Sequence, residues 1–162
     1  MSWLGAGRGR DVGVVGQNGR MAQRMSDDQW RAFVTAGTRT GKLATVRADG
    51  SPHVAPIWFV LDGDDLIFNT GRSSVKGRNL ARDPRAALTV DEEHPPYAFV
   101  TVRGTVTISE DPVESLPWST RIAARYMGPE RAEEYGRRNA VPGELLVRLR
   151  AEHVVAFSGI AD

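Results

Sequence analysis

Alternating apolar and polar residues recur along most of the chain and predict a series of short β-strands. Residues 42–47 and 53–61 alternate in this way on either side of Ala48-Asp49-Gly50-Ser51, and an Asp-Gly turn between two such segments predicts a hairpin. A second turn at 62–65 leads into residues 66–70, so the pattern predicts an antiparallel meander of three strands. Further strands are predicted at 86–91, 97–109, 144–149 and 153–158, with Gly104 marking a bulge in the longest of them.

Helix signals are fewer and lie between the strands. Ser26 and Gln29 have the spacing of a capping box, apolar residues follow at helical spacing, and Gly37 is a stop signal, so a short first helix is predicted. The other predicted helical segments are 74–82, capped by Ser73 or Ser74 and ended by Asp83-Pro84, and 111–139, broken at Met127-Gly128-Pro129.

Many short strands with few helices favour a barrel, because closing a sheet removes its exposed edges. We therefore predict a mainly β fold with short flanking α-helices (β+α), in one domain spanning residues 26–162. Residues 1–25 are rich in Gly and Arg and show little periodicity, so they are predicted to form a disordered N-terminal extension. A basic arm that touches nucleic acid is the functional alternative for that segment.

The amino-acid composition excludes several kinds of functional site. The chain of 162 residues has no cysteine, which excludes disulfides, thiol catalysis, iron–sulfur clusters and thiolate zinc sites. Its formal net charge of +1 gives no overall field that favours nucleic acid. No apolar run approaches the ~20 residues needed to cross a bilayer. The expectation is a cytoplasmic protein with no membrane span and no nucleic-acid partner.

The stretch from Thr70 to Asn79 has the features of an anion site. A strand ends, Gly71 turns the chain, and a serine-capped helix begins, whose free N–H groups carry partial positive charge. Lys76 lies in the first turn of that helix, and Asn79 is three residues later on the same face. Neither a Walker loop nor a dinucleotide glycine fingerprint is present. These residues alone leave two interpretations open, a phosphate site and a solvated helix surface.

Other chemistry-bearing residues form no recognisable constellation. His53, His94 and His153 lack the spacing of metal ligands, so no metal site is predicted. The acidic run 91–93 is typical of a solvated turn, and no Gly-x-Ser-x-Gly elbow accompanies the serines. Arginines on the later helices are interpreted as a solvated face, with contact to an acidic ligand as the alternative. No catalytic residue is assigned.

Four motifs in order give the sequence a family likeness. They are GKLATV at 41–46, DGSPH at 49–53, PIWF at 56–59 and KGRNLARDPR at 76–85. Together they resemble the pyridoxamine 5'-phosphate oxidase-like split β-barrel superfamily, which is FMN-binding-like in fold. Within it they are most similar to the actinobacterial branch that uses the deazaflavin coenzyme F420.

The resemblance implies a cofactor, a partner and a set of binding residues. The cofactor would be coenzyme F420, with FMN as the alternative, in a groove between two protomers of a homodimer. The implied activity is a reductase that transfers a hydride between the deazaflavin and an unsaturated small-molecule substrate. The alternatives are an FMN-binding oxidase or reductase and a non-catalytic cofactor carrier. The implied cofactor-binding residues are Val54, Ala55, Pro56, Ile57 and Trp58 along the ring, Thr70, Gly71, Ser74, Lys76, Gly77 and Asn79 around the phosphate, and Tyr97 from the other protomer.

Overall fold

A computed structural model of the chain describes residues 22–161, in which nine strands and four α-helices alternate. The strands are β1 Gln23–Arg24, β2 Gly41–Val46, β3 Pro52–Ile57, β4 Val60–Asp62, β5 Asp65–Gly71, β6 Arg85–Glu92, β7 Ala98–Ser109, β8 Glu144–Leu149 and β9 His153–Ser158. The helices are α1 Asp27–Thr35, α2 Val75–Arg82, α3 Pro112–Met127 and α4 Ala132–Asn139, with a 3-10 turn at Pro129–Arg131.

The strands form one curled antiparallel sheet in the order β3-β2-β6-β7-β8-β5-β4, with β9 pairing with β7 and β1. The long strand β7 curls the sheet, because its first half pairs with β9 and its second half pairs with β8. This arrangement confirms the predicted mainly β fold with flanking helices and has the architecture of a split barrel.

The predicted second strand, 53–61, is two strands in the structure, so the predicted meander is wrong at this point. Strand β3 pairs with β2, whereas β4 pairs with β5 in the other half of the sheet. The chain passes between the halves at Trp58 and Phe59, which belong to neither strand. The alternation of the sequence continues through this passage because Ile57 and Phe59 are both buried in the core.

The bulge predicted at Gly104 is absent, since the pairing of β6 with β7 continues unbroken from Arg85 to Glu92. Glycine is required there for a different reason. A Cβ atom at Gly104 would lie 1.8 Å from the carbonyl oxygen of Arg150, where the loop between β8 and β9 closes onto β7. Two backbone bonds hold that loop, from Arg150 N to Thr105 O and from Glu152 N to Arg103 O.

The predicted helix ends agree well with the structure. Ser26 and Gln29 form the capping box of α1, with the backbone N–H of Ser26 donating to Gln29 Oε1 over 2.8 Å. Ser74, one of the two serines predicted, caps α2. The break predicted at 127–129 is present, and α3 ends at Gly128 with a φ of 90°.

Residues 1–21, most of the predicted N-terminal extension, lie outside the described residues. Its last residues include β1, which pairs with the end of β9, so the sheet begins before Ser26. Among residues 22–161, no helix is long and apolar enough to cross a membrane.

Candidate functional site

A cavity of about 390 Å³ opens where the chain passes between the two halves of the sheet. It brings Pro56, Ile57 and Trp58 together with Lys76 of α2, which lies about twenty positions further along the chain. The remaining lining residues are Thr40, Asn69, Ile122 and Asn139. A concave site with an apolar wall and a few polar groups is the usual form of a small-molecule site.

Lys76 is the single charged residue among those that line this cavity. Within residues 22–161 its ammonium group has no ion-pair or hydrogen-bond partner, in contrast to Lys42, whose Nζ lies 2.5 Å from Asp91 Oδ1. A cation that faces a cavity without a partner favours binding of an anionic group there.

The junction between β5 and α2 is built by Thr70, Gly71, Ser74 and Gly77. Ser74 Oγ accepts from the backbone N–H of Gly77 over 3.0 Å and lies 3.0 Å from Thr70 Oγ1. Gly77 is buried, and a Cβ atom there would lie 2.3 Å from Gly71 O. These four residues therefore shape the turn that positions Lys76, and none of them lines the cavity itself.

Asn79 is only 4% exposed and lies outside the cavity lining. Its Nδ2 donates to Thr45 Oγ1 over 3.0 Å, and Arg82 Nη2 donates to its Oδ1 over 3.5 Å. The side chain thus joins α2 to β2. Its phosphate-binding role, implied by the resemblance, stays a prediction.

Val54, Ala55 and Tyr97 also lie outside the lining of this cavity. Val54 is 63% exposed on β3, which is an edge strand of the sheet. Pro56 lies on the same strand, and a proline is tolerated at an edge because its nitrogen has no hydrogen to donate. Tyr97 precedes β7 and is also exposed. Within one chain the structure does not bring these three residues together with Lys76, and their predicted roles involve a groove between two protomers.

Trp58 is held at the cavity by Tyr126 of α3. The two rings are stacked, with centroids 5.0 Å apart and an interplanar angle of 3°. The Tyr126 hydroxyl donates to Arg39 O over 2.9 Å and accepts from Phe59 N over 3.3 Å. Burial raises the pKa of Tyr126, so its hydroxyl stays protonated at neutral pH.

Arg125, beside Tyr126, binds the backbone of the same region. Its guanidinium donates to the carbonyl oxygens of Val34, Gly37 and Phe59 over 2.7, 3.0 and 2.8 Å. Its guanidinium carbon lies 4.7 Å from the centre of the Phe59 ring. Burial lowers the pKa of Arg125, but an arginine remains charged. This arginine of the later helices therefore binds the protein backbone, and it does not line the cavity.

Thr40, Asn69, Ile122 and Asn139 were not among the predicted site residues. They come from a loop, a strand and two helices, and none belongs to a motif. The one usable signal was Asn69, an amide that directly follows the buried apolar run Leu66, Ile67 and Phe68.

Among the described residues, no group of three or more histidine, aspartate or glutamate side chains could hold a metal ion. His94 Nδ1 lies 3.0 Å from Glu92 Oε1, at the rim of a different, smaller cavity.

Comparison with known proteins assigns the family. Residues 26–157 match the family of pyridoxamine 5'-phosphate oxidase. The chain belongs to this family. Its members bind flavin-type cofactors. The match includes every residue given above as lining the cavity, from Thr40 to Asn139.

One related sequence and two solved structures illustrate the similarity. The chain is 30% identical over 130 residues to a 5a,11a-dehydrotetracycline/5a,11a-dehydrooxytetracycline reductase of Streptomyces rimosus, covering 74% of this chain and 87% of that protein. A conserved hypothetical protein of Mycobacterium tuberculosis superposes with a TM-score of 0.74 at 28% identity, covering 83% of this chain and 86% of that one. A protein described as an F420 reductase superposes with a TM-score of 0.61 at 28% identity, covering 76% and 94%. The two reductases among these relatives support an oxidoreductase as the general class.

Proposed function

We propose that the protein is a deazaflavin-dependent reductase, which uses coenzyme F420 to reduce an unsaturated organic substrate. The observation that carries the proposal is the cavity that joins Pro56, Ile57 and Trp58 to the unpaired Lys76. The likeness to the Streptomyces reductase and to the F420 reductase supports the choice of cofactor and reaction.

The residues present fit such a cofactor. Lys76 offers an unpaired cation for a phosphate, next to the start of α2, where the N–H groups of Val75 and Lys76 have no helical acceptor. The apolar wall of Ile57, Trp58 and Ile122 fits a flat ring system, and Asn69 and Asn139 offer hydrogen bonds to its polar edge.

A reduced deazaflavin supplies two electrons as a hydride from a ring carbon, so the protein has little chemistry of its own to provide. Among the lining residues only Lys76 carries an ionisable side chain. The chain therefore binds and orients its ligands. The Trp58–Tyr126 stack and the Arg125 contacts hold the wall that would orient the ring.

We further propose a homodimer in which the cofactor lies between the protomers. The outward face of β3 carries Pro52, Val54 and Pro56, all exposed, beside Ala44 and Val46 of β2. An apolar face next to an unpaired strand edge favours a second copy of the chain as its cover.

The direct test is titration of the purified protein with F420 and, separately, with FMN, followed by intrinsic tryptophan fluorescence. Saturable quenching by F420, followed by oxidation of reduced F420 in the presence of conjugated enones, is the expected result. Binding of FMN alone would favour the FMN-dependent alternative. Tight binding without turnover over a broad substrate panel would favour a carrier.

Replacing Lys76 by Ala tests the phosphate contact. Loss of one charge-assisted contact is expected to weaken F420 binding about tenfold or more. Arg150→Ala is the matched control, because Arg150 is an exposed cation that does not line the cavity. Equal affinities of the Lys76 variant and the wild type would show that the phosphate binds elsewhere.

A further inference from the structure

Asn69 is supported from behind by two buried serines of α3. Ser115 and Ser119 lie one helical turn apart and are 2% and 0% exposed. Serine is a weaker helix former than alanine, and a buried hydroxyl requires a partner. Both hydroxyls find that partner in the side chain of Asn69, which lines the cavity.

The three side chains form a closed ring of hydrogen bonds. Asn69 Nδ2 donates to Ser115 Oγ over 3.2 Å, and the Ser119 hydroxyl donates to Asn69 Oδ1 over 2.9 Å. The two hydroxyl oxygens are 3.1 Å apart, so the Ser115 hydroxyl donates to Ser119 Oγ and each donor has an acceptor.

The backbone selects the orientation of the amide. Asn69 Nδ2 also lies 3.5 Å from the carbonyl oxygen of Leu145. A flipped amide would set Oδ1 against that carbonyl, where two oxygen atoms repel. Both hydrogens of Nδ2 are therefore directed at protein acceptors, whereas Oδ1 accepts one hydrogen bond and keeps a second lone pair.

We propose that Asn69 is a specificity-determining residue that acts as a fixed hydrogen-bond acceptor, with Ser115 and Ser119 as its positioning residues. The inference rests on the proposed function for the identity of the ligands. The site then selects an N–H or O–H donor and disfavours a carbonyl or a methylated position at the same place. Two sources supply such a donor, the imide N–H that FMN and F420 share in their rings and a hydroxyl of the substrate.

The first experimental arm uses F420, FMN and their N3-methyl derivatives, titrated by tryptophan fluorescence. If the ring imide is the donor, the wild type prefers the N–H form by about tenfold, and Asn69→Ala removes most of that preference. Ser119→Ala is expected to reduce it about threefold or more, because the amide is free to turn. Ser109→Ala is the matched control, since Ser109 also bonds a side chain but lies outside this cavity.

The second arm uses a hydroxylated polycyclic enone and its methyl ether, titrated on protein saturated with oxidised F420. If a substrate hydroxyl is the donor, the wild type prefers the hydroxylated probe and the Asn69 and Ser119 variants lose that preference. Dependence on Asn69 in either arm supports the inference and names the source. A wild-type preference that both variants retain, or its absence in both arms, overturns it.

Thermal unfolding separates positioning from a merely structural role. Ser119→Ala places a better helix former in the helix but removes the acceptor of the buried Ser115 hydroxyl, so the melting temperature is expected to fall by no more than a few degrees. A large loss of stability with unchanged ligand preference would make the serines structural and overturn their assignment. If neither cofactor binds the wild type, the proposed function fails, and the enone arm on cofactor-free protein still tests Asn69.

Discussion

Arg125 makes the largest set of long-range contacts of any single side chain near the cavity. Its carbonyl acceptors belong to the end of α1, the following loop and the passage at Phe59. A planar guanidinium can serve several acceptors at fixed angles, which an ammonium group cannot do. The passage between the two halves of the sheet therefore depends on Arg125 as well as on Tyr126, which stacks on Trp58.

Replacing Arg125 by Lys is expected to lower the free energy of unfolding by about 1–3 kcal/mol, because two or more buried carbonyl groups lose their donors. Urea unfolding measures the change. Arg121→Lys, on the exposed side of the same helix, affects a single carbonyl contact, with Leu61 O over 3.3 Å, and should cost less stability than Arg125→Lys. Equal midpoints for the two variants would contradict the role assigned to Arg125.

Glu92 gives the molecule a response to acid. Its carboxylate pairs with Arg39 and accepts from His94, and these contacts lower the pKa of Glu92 from 4.5 to about 2. A lowered pKa in the folded state means that this contribution to stability is present above pH 4.5 and is lost as the pH falls towards 2.

The stability difference between the wild type and Glu92→Gln should therefore shrink as the pH falls from about 4.5 to about 2. Urea midpoints at several pH values in that range measure it. Glu93→Gln is the control, because Glu93 carries the same charge without an ion pair among the described residues. A difference that stays constant down to pH 2 would rule out the linkage.

At the scale of elements, α2 matters most for the site, because its first turn sets Lys76 beside the cavity. The helix approaches the end of β5 so closely that only glycine fits at position 77. Ser74 fixes the start of the helix, and Asn79 fastens its middle to β2 through Thr45. The position of the cation thus follows from the packing of the helix.

Replacing Gly77 by Ala is expected to destabilise the protein by about 1–3 kcal/mol and to weaken ligand binding, because the added methyl group displaces the first turn of α2. Gly71→Ala is the control for stability, since its Cβ would meet only Glu144 Oε1 at 3.4 Å, an ordinary contact. Thermal unfolding measures the stability of both variants, and F420 titration measures ligand binding by the Gly77 variant. Equal tolerance of the two substitutions would refute the close approach.

At the scale of the whole molecule, the sheet ends in the edge strand β3, which has an exposed outward face. Val54 lies on that face at the edge strand, beside the segment that forms the wall of the cavity. In the homodimer that we propose, a second copy of the chain would cover these apolar residues.

Replacing Val54 by Glu is expected to shift the protein towards the monomer and to weaken F420 binding, because a charge is buried at the proposed interface. Light scattering after gel filtration measures the mass. Val113→Glu is the matched control, because Val113 is 81% exposed at the start of α3, away from this face. A variant of Val54 that keeps the wild-type mass would argue against this face as the interface.

The sequence by itself determined the features that arise between near neighbours. The strands follow from alternation, and the ends of α1 and α2 follow from caps that join residues three positions apart. The ordered motifs were enough to assign the family and the fold, because each motif lies at a turn, a strand or a helix start that its own residues determine.

Only the tertiary structure decided which distant residues meet. The strand break at Trp58 and Phe59 depends on Arg125 and Tyr126, which are more than sixty positions away along the chain. The same holds for Asn79, bonded to Thr45, and for Asn69, bonded to Ser115 and Ser119. An asparagine has the same local signature whether it faces a ligand, a serine or water, so its role depends on packing that no local pattern contains.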